Sequence, residues 1–315
     1  MPSISFRISI YAIGLMLLGV GMASGQPYPN KPIRVVTGNA NDFVGRQIAQ
    51  AISVPLGQPV IVDARPILLS IETVAKATPD GYTFLLAAGS FWIGPLLKKL
   101  SYDPVKDFSP ITIVSKYPLV LLVNPSVPAK TVGELIALAK AKPGALNYGR
   151  GPTGASSHLG PELFKSLAGI NVVSVPYKGS AEALNALMIG EVQMMVNNAS
   201  TAEPFIRSGR LRALAVTSTE PSPLAPGLPT LAATLPGYVF EQLLGAFATA
   251  GTPAVIVRRL NQEIVRFLHD PKVAEQFLKG GAEVVGSSPA ELSVYMKADI
   301  ARMGKLIREE GIHDE

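Results

Sequence analysis

The chain has 315 residues, with 28 Lys and Arg against 23 Asp and Glu, 48% hydrophobic side chains and no cysteine. Without cysteine there are no disulfides, thiol nucleophiles or thiolate metal sites, and His158, His269 and His313 lie too far apart in sequence for metal-ligand spacing. The basic residues are scattered, with Lys98-Lys99 and Arg258-Arg259 the only adjacent pairs, so the chain lacks the footprint of a nucleic-acid binder.

Residues 1–25 read as an export signal. Arg7 and the amino terminus supply positive charge, Ile8 to Val20 is an uncharged apolar run short for a membrane span, and Ala23, Ser24 and Gly25 are the small residues of a cleavage site. The expected product is an exported protein cut near Gly25; an uncleaved membrane anchor is the other reading. No cysteine at the cleavage point marks lipidation, and no Arg-Arg pair marks a twin-arginine route. Loss of Arg7 leaves 27 basic against 23 acidic side chains, a net charge of +4. About 290 residues remain, enough for one large domain or two medium ones.

Short apolar, often β-branched runs follow at Ile33–Val36, Val60–Val62, Thr83–Ala87, Ile111–Val114, Leu119–Val123, Val172–Val175, Val192–Val196 and Leu211–Val216. They predict strands buried on both faces, and helical patterns lie between them. Asp42 is expected to open the helix after the first strand. Thr131 with Glu134, and Ser288-Pro289 with Glu291, form capping patterns; Thr252-Pro253 and Asp270-Pro271 each place a cap residue before a first-turn proline. The alternation predicts an α/β protein with mainly parallel sheets. Pro221–Pro236 reads as an irregular surface excursion. Ile111–Asn124 and Val239–Ala248 are long apolar runs without a following crossover helix, the pattern expected of strands that pass between two lobes.

The segment NYGRGPTGASSH, Asn147 to His158, carries the most information. Gly149, Gly151 and Gly154 fit the spacing G-x-G-x-x-G of a dinucleotide turn. Such a fold needs an acid at the end of the next strand, and here that strand ends in Pro176-Tyr177-Lys178. A nucleotide is therefore disfavoured, and no cofactor is expected. The more general physics survives: converging backbone N–H groups, a helix starting near Ser156, and the hydroxyls of Thr153, Ser156 and Ser157 suit a carboxylate as well as a phosphate. An ordinary capped turn remains the plain alternative.

Ser156 is not in a G-x-S-x-G elbow and His158 sits two residues on, so a hydrolase triad lacks its parts and His158 reads as a packing or capping side chain. Asn197-Asn198 end an apolar strand, where ligand-facing polar groups collect in α/β folds, or form a simple turn. Tyr177 and Lys178 face a cleft or only solvent. Trp92, in AAGSFWIGP, reads by default as core.

The segments YPNKPIRVV, LGQPVIVDARP, TPDGYTFLL, LSYDPVKDFSPIT, NPSVPAKTVGELIALAKAKPGALNY, HLGPELFKSLAGINVVSVPYKGSAEALNAL and GRLRALAVTS together resemble the tripartite tricarboxylate transporter receptor (Bug) family. The likeness runs in order over nearly all of the chain after the leader. It implies a periplasmic-binding-protein type II-like fold: two α/β lobes joined by hinge strands, with a ligand cleft between them. The implied division is a leader over 1–25, a first lobe over 26–122 and 242–315, and a second lobe over 123–241. The implied function is not enzymatic. It is capture of a small carboxylate in the cleft and delivery to the membrane permease subunits of a tripartite tricarboxylate transporter by a monomeric receptor. A receptor that reports ligand to a sensor kinase, or a family member without ligand, are the alternatives.

Residue by residue, the resemblance places Gly149, Gly151, Thr153, Gly154, Ala155 and Ser156 at the family's small-residue turn. Asn197-Asn198 stand where the family has Asp-Asn, and Ala88, Gly89 and Ser90 replace a Gly-Thr-Ser-like loop. Tyr177 joins the candidate ligand residues. The first-lobe loop Gly38, Asn39, Ala40, Asn41 is shorter than the family's Pro-Phe-x-Pro-Gly-Gly-x-x-Asp, and Ile67, Leu68 and Leu69 stand where glycines let a backbone approach the ligand. The resemblance thus implies a kept anion turn with altered specificity.

Overall fold

Each of the eight apolar runs forms a strand, and their order in space shows two separate sheets. The structure, a computed structural model, describes residues 28–38 and 42–313, with the side chain of residue 42 left aside. The expected leader at 1–25 and the loop residues Asn39, Ala40 and Asn41 lie outside the described residues.

The first sheet begins with β1 (Ile33–Gly38), β2 (Val60–Arg65) and β3 (Thr83–Ala88), linked through α1 (Asp42–Leu56) and α2 (Ile67–Ala75). β1 pairs in parallel with both neighbours. After α3 (Ser90–Leu97) comes β4 (Phe108–Tyr117), and β5 (Leu119–Val123) follows beyond the single residue Pro118. β4 belongs to the first sheet and β5 to the second, so the chain changes sheets within one apolar run. The second sheet is completed by β6 (Asn147–Arg150), β7 (Val173–Pro176), β8 (Met194–Asn198) and β9 (Arg212–Val216). Between them run α4 (Val132–Ala141), α5 (Ser156–Ala168), α6 (Ser180–Ile189) and α7 (Ala199–Arg207). The chain then returns as β10 (Gln242–Thr249), α8 (Ala254–Leu268), α9 (Pro271–Lys279), the two-residue β11 (Glu283–Val284) and the long α10 (Pro289–Glu309). The sheet orders are β11-β4-β10-β3-β1-β2 and β7-β6-β8-β5-β9.

The expectation of mainly parallel sheets is corrected to mixed ones. The βαβ units pair in parallel, β1 with β2 and β3 and β6 with β7 and β8. The strands that pass between the sheets pair antiparallel: β10 with β3 and β4, β5 with β8 and β9. The reason is directional: β5 and β10 each enter their sheet from the other half of the molecule, against the run of the local βαβ strands.

The caps follow the sequence with one exception. Thr131 accepts the Glu134 N–H, Asp270 accepts the Lys272 N–H, and Ser288 with Glu291 closes a full capping box. Thr252 does not cap α8; its hydroxyl donates back to the Thr249 carbonyl at 2.8 Å, and the helix starts after Pro253 without a side-chain cap. The proline-rich excursion is partly docked, with Leu231 fully buried.

The two halves share apolar packing. One cluster runs from Val36 and Leu85 of the first sheet through Leu119 and Phe240 to Leu121 and Tyr148 of the second, so the region beside the crossing strands is solid core. Among the described residues no helix is long and apolar enough to cross a membrane.

Candidate ligand cavity

Between the sheets lies a cavity of about 460 Å³, within the range of small-molecule sites. It is reached from the carboxyl ends of parallel strands, where ligands bind in open α/β sheets. Ala88 ends β3 and Asn197-Asn198 end β8; both line it.

Four helices begin at this cavity. Gly89-Ser90 open α3, Ala155-Ser156 open α5, Ser180-Ala181 are the first residues of α6, and Asn198 precedes α7. No side chain caps any of the four. The first backbone N–H groups of a helix have no acceptor within it, and the helix dipole leaves partial positive charge there. By contrast α4, α9 and α10, which begin elsewhere, all carry side-chain caps. Helices α2 and α8 begin after prolines and are also uncapped.

The glycine turn is built around this arrangement. Gly154 has φ +80°, a left-handed backbone, and a Cβ there would lie 2.3 Å from Leu97 Cδ1 of the first half. The Gly154 N–H donates to His158 Nδ1 at 3.3 Å, and the Gly151 N–H to Ser157 Oγ at 3.0 Å. Ser157 Oγ is in turn 3.5 Å from Ser180 Oγ, which links the starts of α5 and α6. His158 is thus a buried side chain that accepts from the glycine turn, with its pKa lowered to about 4, first by burial and then by the nearby Arg150.

Asn197 supplies the most pointed donor. Its side chain is 8% exposed, its Oδ1 accepts the Asn198 N–H at 2.8 Å, and its buried Nδ2 has no partner among the described residues. A buried amide donor without an acceptor is costly unless a ligand completes it.

The lining holds two acids, Glu241 and Asp299, and no Lys or Arg. Asp299 is already tied, accepting from Trp92 Nε1 at 2.8 Å and from Arg302 at 2.5 Å. Ile93, Leu119, Leu159, Val196, Phe240 and Met303 make the rest of the wall apolar. Among the described residues no group of three His, Asp or Glu could hold a metal ion.

The sequence-derived candidates divide as follows. Ala88, Gly89, Ser90, Gly154, Ala155, Ser156, Asn197 and Asn198 line the cavity. Thr153 lines an adjoining chamber instead. Gly149 and Gly151 stand behind the turn. A Cβ on Gly149 would press Val192 and Ala183, so that glycine serves the seating of α6 on the sheet. Gly38 is buried beneath Ile67. Tyr177 points away from the cavity, its hydroxyl donating to Glu191 at 2.8 Å, because β7 is the edge strand of its sheet. The sequence reading did not reach Ser180, Thr201, Phe240, Glu241, Gln242 or Asp299. Gly179-Ser180 after a strand end was the available signal for the first; the last four depend on how the chain returns.

Two α/β halves around a cavity where helix N-termini gather are the architecture of a solute-binding receptor. The sequence profile of the tripartite tricarboxylate transporter family receptor matches residues 44–312. The chain belongs to that family. It is 32% identical to BugT of Bordetella pertussis over 313 residues, 95% of this chain and 96% of that one. Among solved structures it is similar to Rpa4515 of R. palustris with adipate, at 33% identity, TM-score 0.72, and coverage of 91% of this chain and 100% of that one. It is also similar to MatC (Rpa3494) from Rhodopseudomonas palustris with bound malate, at 29% identity, TM-score 0.68, and coverage of 89% and 100%.

Proposed function

We propose that the protein is a periplasmic solute receptor that captures a small carboxylate between its two halves. It then delivers this ligand to the membrane permease subunits of a tripartite tricarboxylate-type transporter, binding without converting it. The supporting observation is the convergence of four uncapped helix N-termini on one cavity beside the unpaired Asn197 Nδ2. A carboxylate satisfies such donors without a lysine or arginine, and the lining offers neither. The adipate and malate in the related structures are of this chemical class.

The leader over 1–25 directs export, and the lobes comprise 26–122 with 242–315, and 123–241. The short loop from Gly38 and the apolar start of α2 give the first lobe a specificity of its own. The working form is a monomer. Ligand contacts to both lobes favour the closed arrangement in proportion to its differential affinity.

Titration of the purified protein with mono-, di- and tricarboxylates tests the proposal. Trp92 is the single tryptophan, it bonds to the cavity residue Asp299, and its fluorescence reports occupancy. Ligand at a hundred times its Kd stabilises by about 2.7 kcal/mol, a readily measured thermal shift. A folded protein that responds to no acid would refute the proposal.

A further inference from the structure

A second chamber of about 370 Å³ opens beside the first. The two adjoin, with Ser90, Ile93, Gly154 and Ala155 lining both. Its walls differ in kind: Ile67, Leu68 and Ile71 of α2 face Leu97 and Leu100 across it. Ile67 and Leu68 are 39% and 45% exposed, unusual for adjacent large apolar side chains at the start of a helix.

We infer that this chamber receives the apolar body of a monocarboxylate, a medium-chain or aromatic acid whose carboxylate sits at the start of α5. The inference rests on the carboxylate reading of the first cavity and names the ligand class. Its direction follows from charge as well as shape. The main cavity supplies neutral donors for one anionic group, while Glu241 repels a second one there; Asp299 is compensated by Arg302. Passing outward over Gly154 and Ala155, the ligand meets α2 and α3, where hydrocarbon gains contact and a carboxylate loses water. Among the described residues that line the second chamber, Lys98 at the C-terminal end of α3 is the one cation. Ser90 at the junction and Thr153 in the second chamber add hydroxyls, enough to orient an acid but not to neutralise a second charge.

Calorimetric titration of the purified protein with butyrate, hexanoate and octanoate, and with succinate and adipate, tests this assignment. Affinity is expected to rise about fourfold per added methylene, and hexanoate to bind more tightly than adipate. In an Ile67→Ser/Leu68→Ser variant the dependence on length is expected to flatten, with butyrate affinity kept. Both positions are partly exposed, so the fold should persist, and circular dichroism checks it. A flat series in the unaltered protein overturns the inference while leaving carboxylate binding standing. So does tighter binding of adipate, which would mean that Lys98 takes the distal carboxylate. Binding of none of these acids, or of any other carboxylate, overturns the inference together with the carboxylate reading on which it rests.

Discussion

The Trp92 indole donates to Asp299 Oδ2 at 2.8 Å, joining two residues 207 positions apart at the wall of the cavity. Both side chains are buried, and Arg302 holds the other carboxylate oxygen. Trp92→Phe keeps most of the packing and leaves one carboxylate oxygen without its donor. Leaving such a group unpaired costs about 1–3 kcal/mol, to be read from urea unfolding followed by far-UV circular dichroism. An unchanged midpoint would mean that the bond contributes nothing to stability.

Asn197 sets stability against binding. Its buried, unpaired Nδ2 costs stability, and on the proposed carboxylate reading a bound ligand accepts from it. Asn197→Ala should therefore leave thermal stability within about 1 kcal/mol of the parent, whereas carboxylate affinity falls roughly tenfold, the worth of one hydrogen bond to a charged group. Equal affinity in the variant would remove Asn197 from the site.

Gly154 is a poor place to test the anion seat, because any side chain there meets both φ +80° and Leu97. Ala155 is better, having an extended backbone at the N-cap of α5. Ala155→Asp places a carboxylate where the ligand's would lie and caps the helix, for a gain of about 1 kcal/mol. The expected result is a raised melting temperature together with lost carboxylate binding. Retained binding would move the seat elsewhere.

His158 makes the turn sensitive to acid. Its pKa is lowered to about 4 in the folded protein from an ordinary 6.5, by burial and then by Arg150; Lys165 acts in the same direction and Glu162 against it. The unfolded chain takes up the proton first, so this contribution is intact above pH 6.5 and is lost as the pH falls towards 4. The loss amounts to about 3 kcal/mol over that window. His158→Asn keeps an acceptor near the Gly154 N–H and should flatten this part of the profile. A parent protein equally stable at pH 6.5 and 4.5 would contradict this account.

Much of the fold was legible because buried strands announce themselves as short β-branched runs and helices by their caps. The crossing between sheets was visible in Ile111–Asn124, which now divides at Pro118. Strand direction was not visible, since β5 and β10 look like any other apolar run until their partners are known. Two-residue β11 carries no periodicity at all. For the site, the segments around Ala88, Gly154 and Asn197 were found because each couples a strand end to a helix start. Asp299 was out of reach for the opposite reason: it lies deep within the 21-residue α10, and only packing against α3 brings it to the cavity. Tyr177, read as facing either a cleft or solvent, lies outside the cavity lining, beside the edge strand of its sheet.

Of the four helix starts at the cavity, three belong to α5, α6 and α7 and only one to α3. The uneven split separates two tasks along the chain. On the proposed reading, residues 155–200 hold most of the donors and so hold the charge, while the wall opposite, at α2 and the body of α3, touches whatever the charge is attached to. On that reading, substitutions in the wall exchange one acid for another without disturbing the donors. A lineage can thus change its diet through a few side chains near Ile67 and keep the rest of its receptor intact.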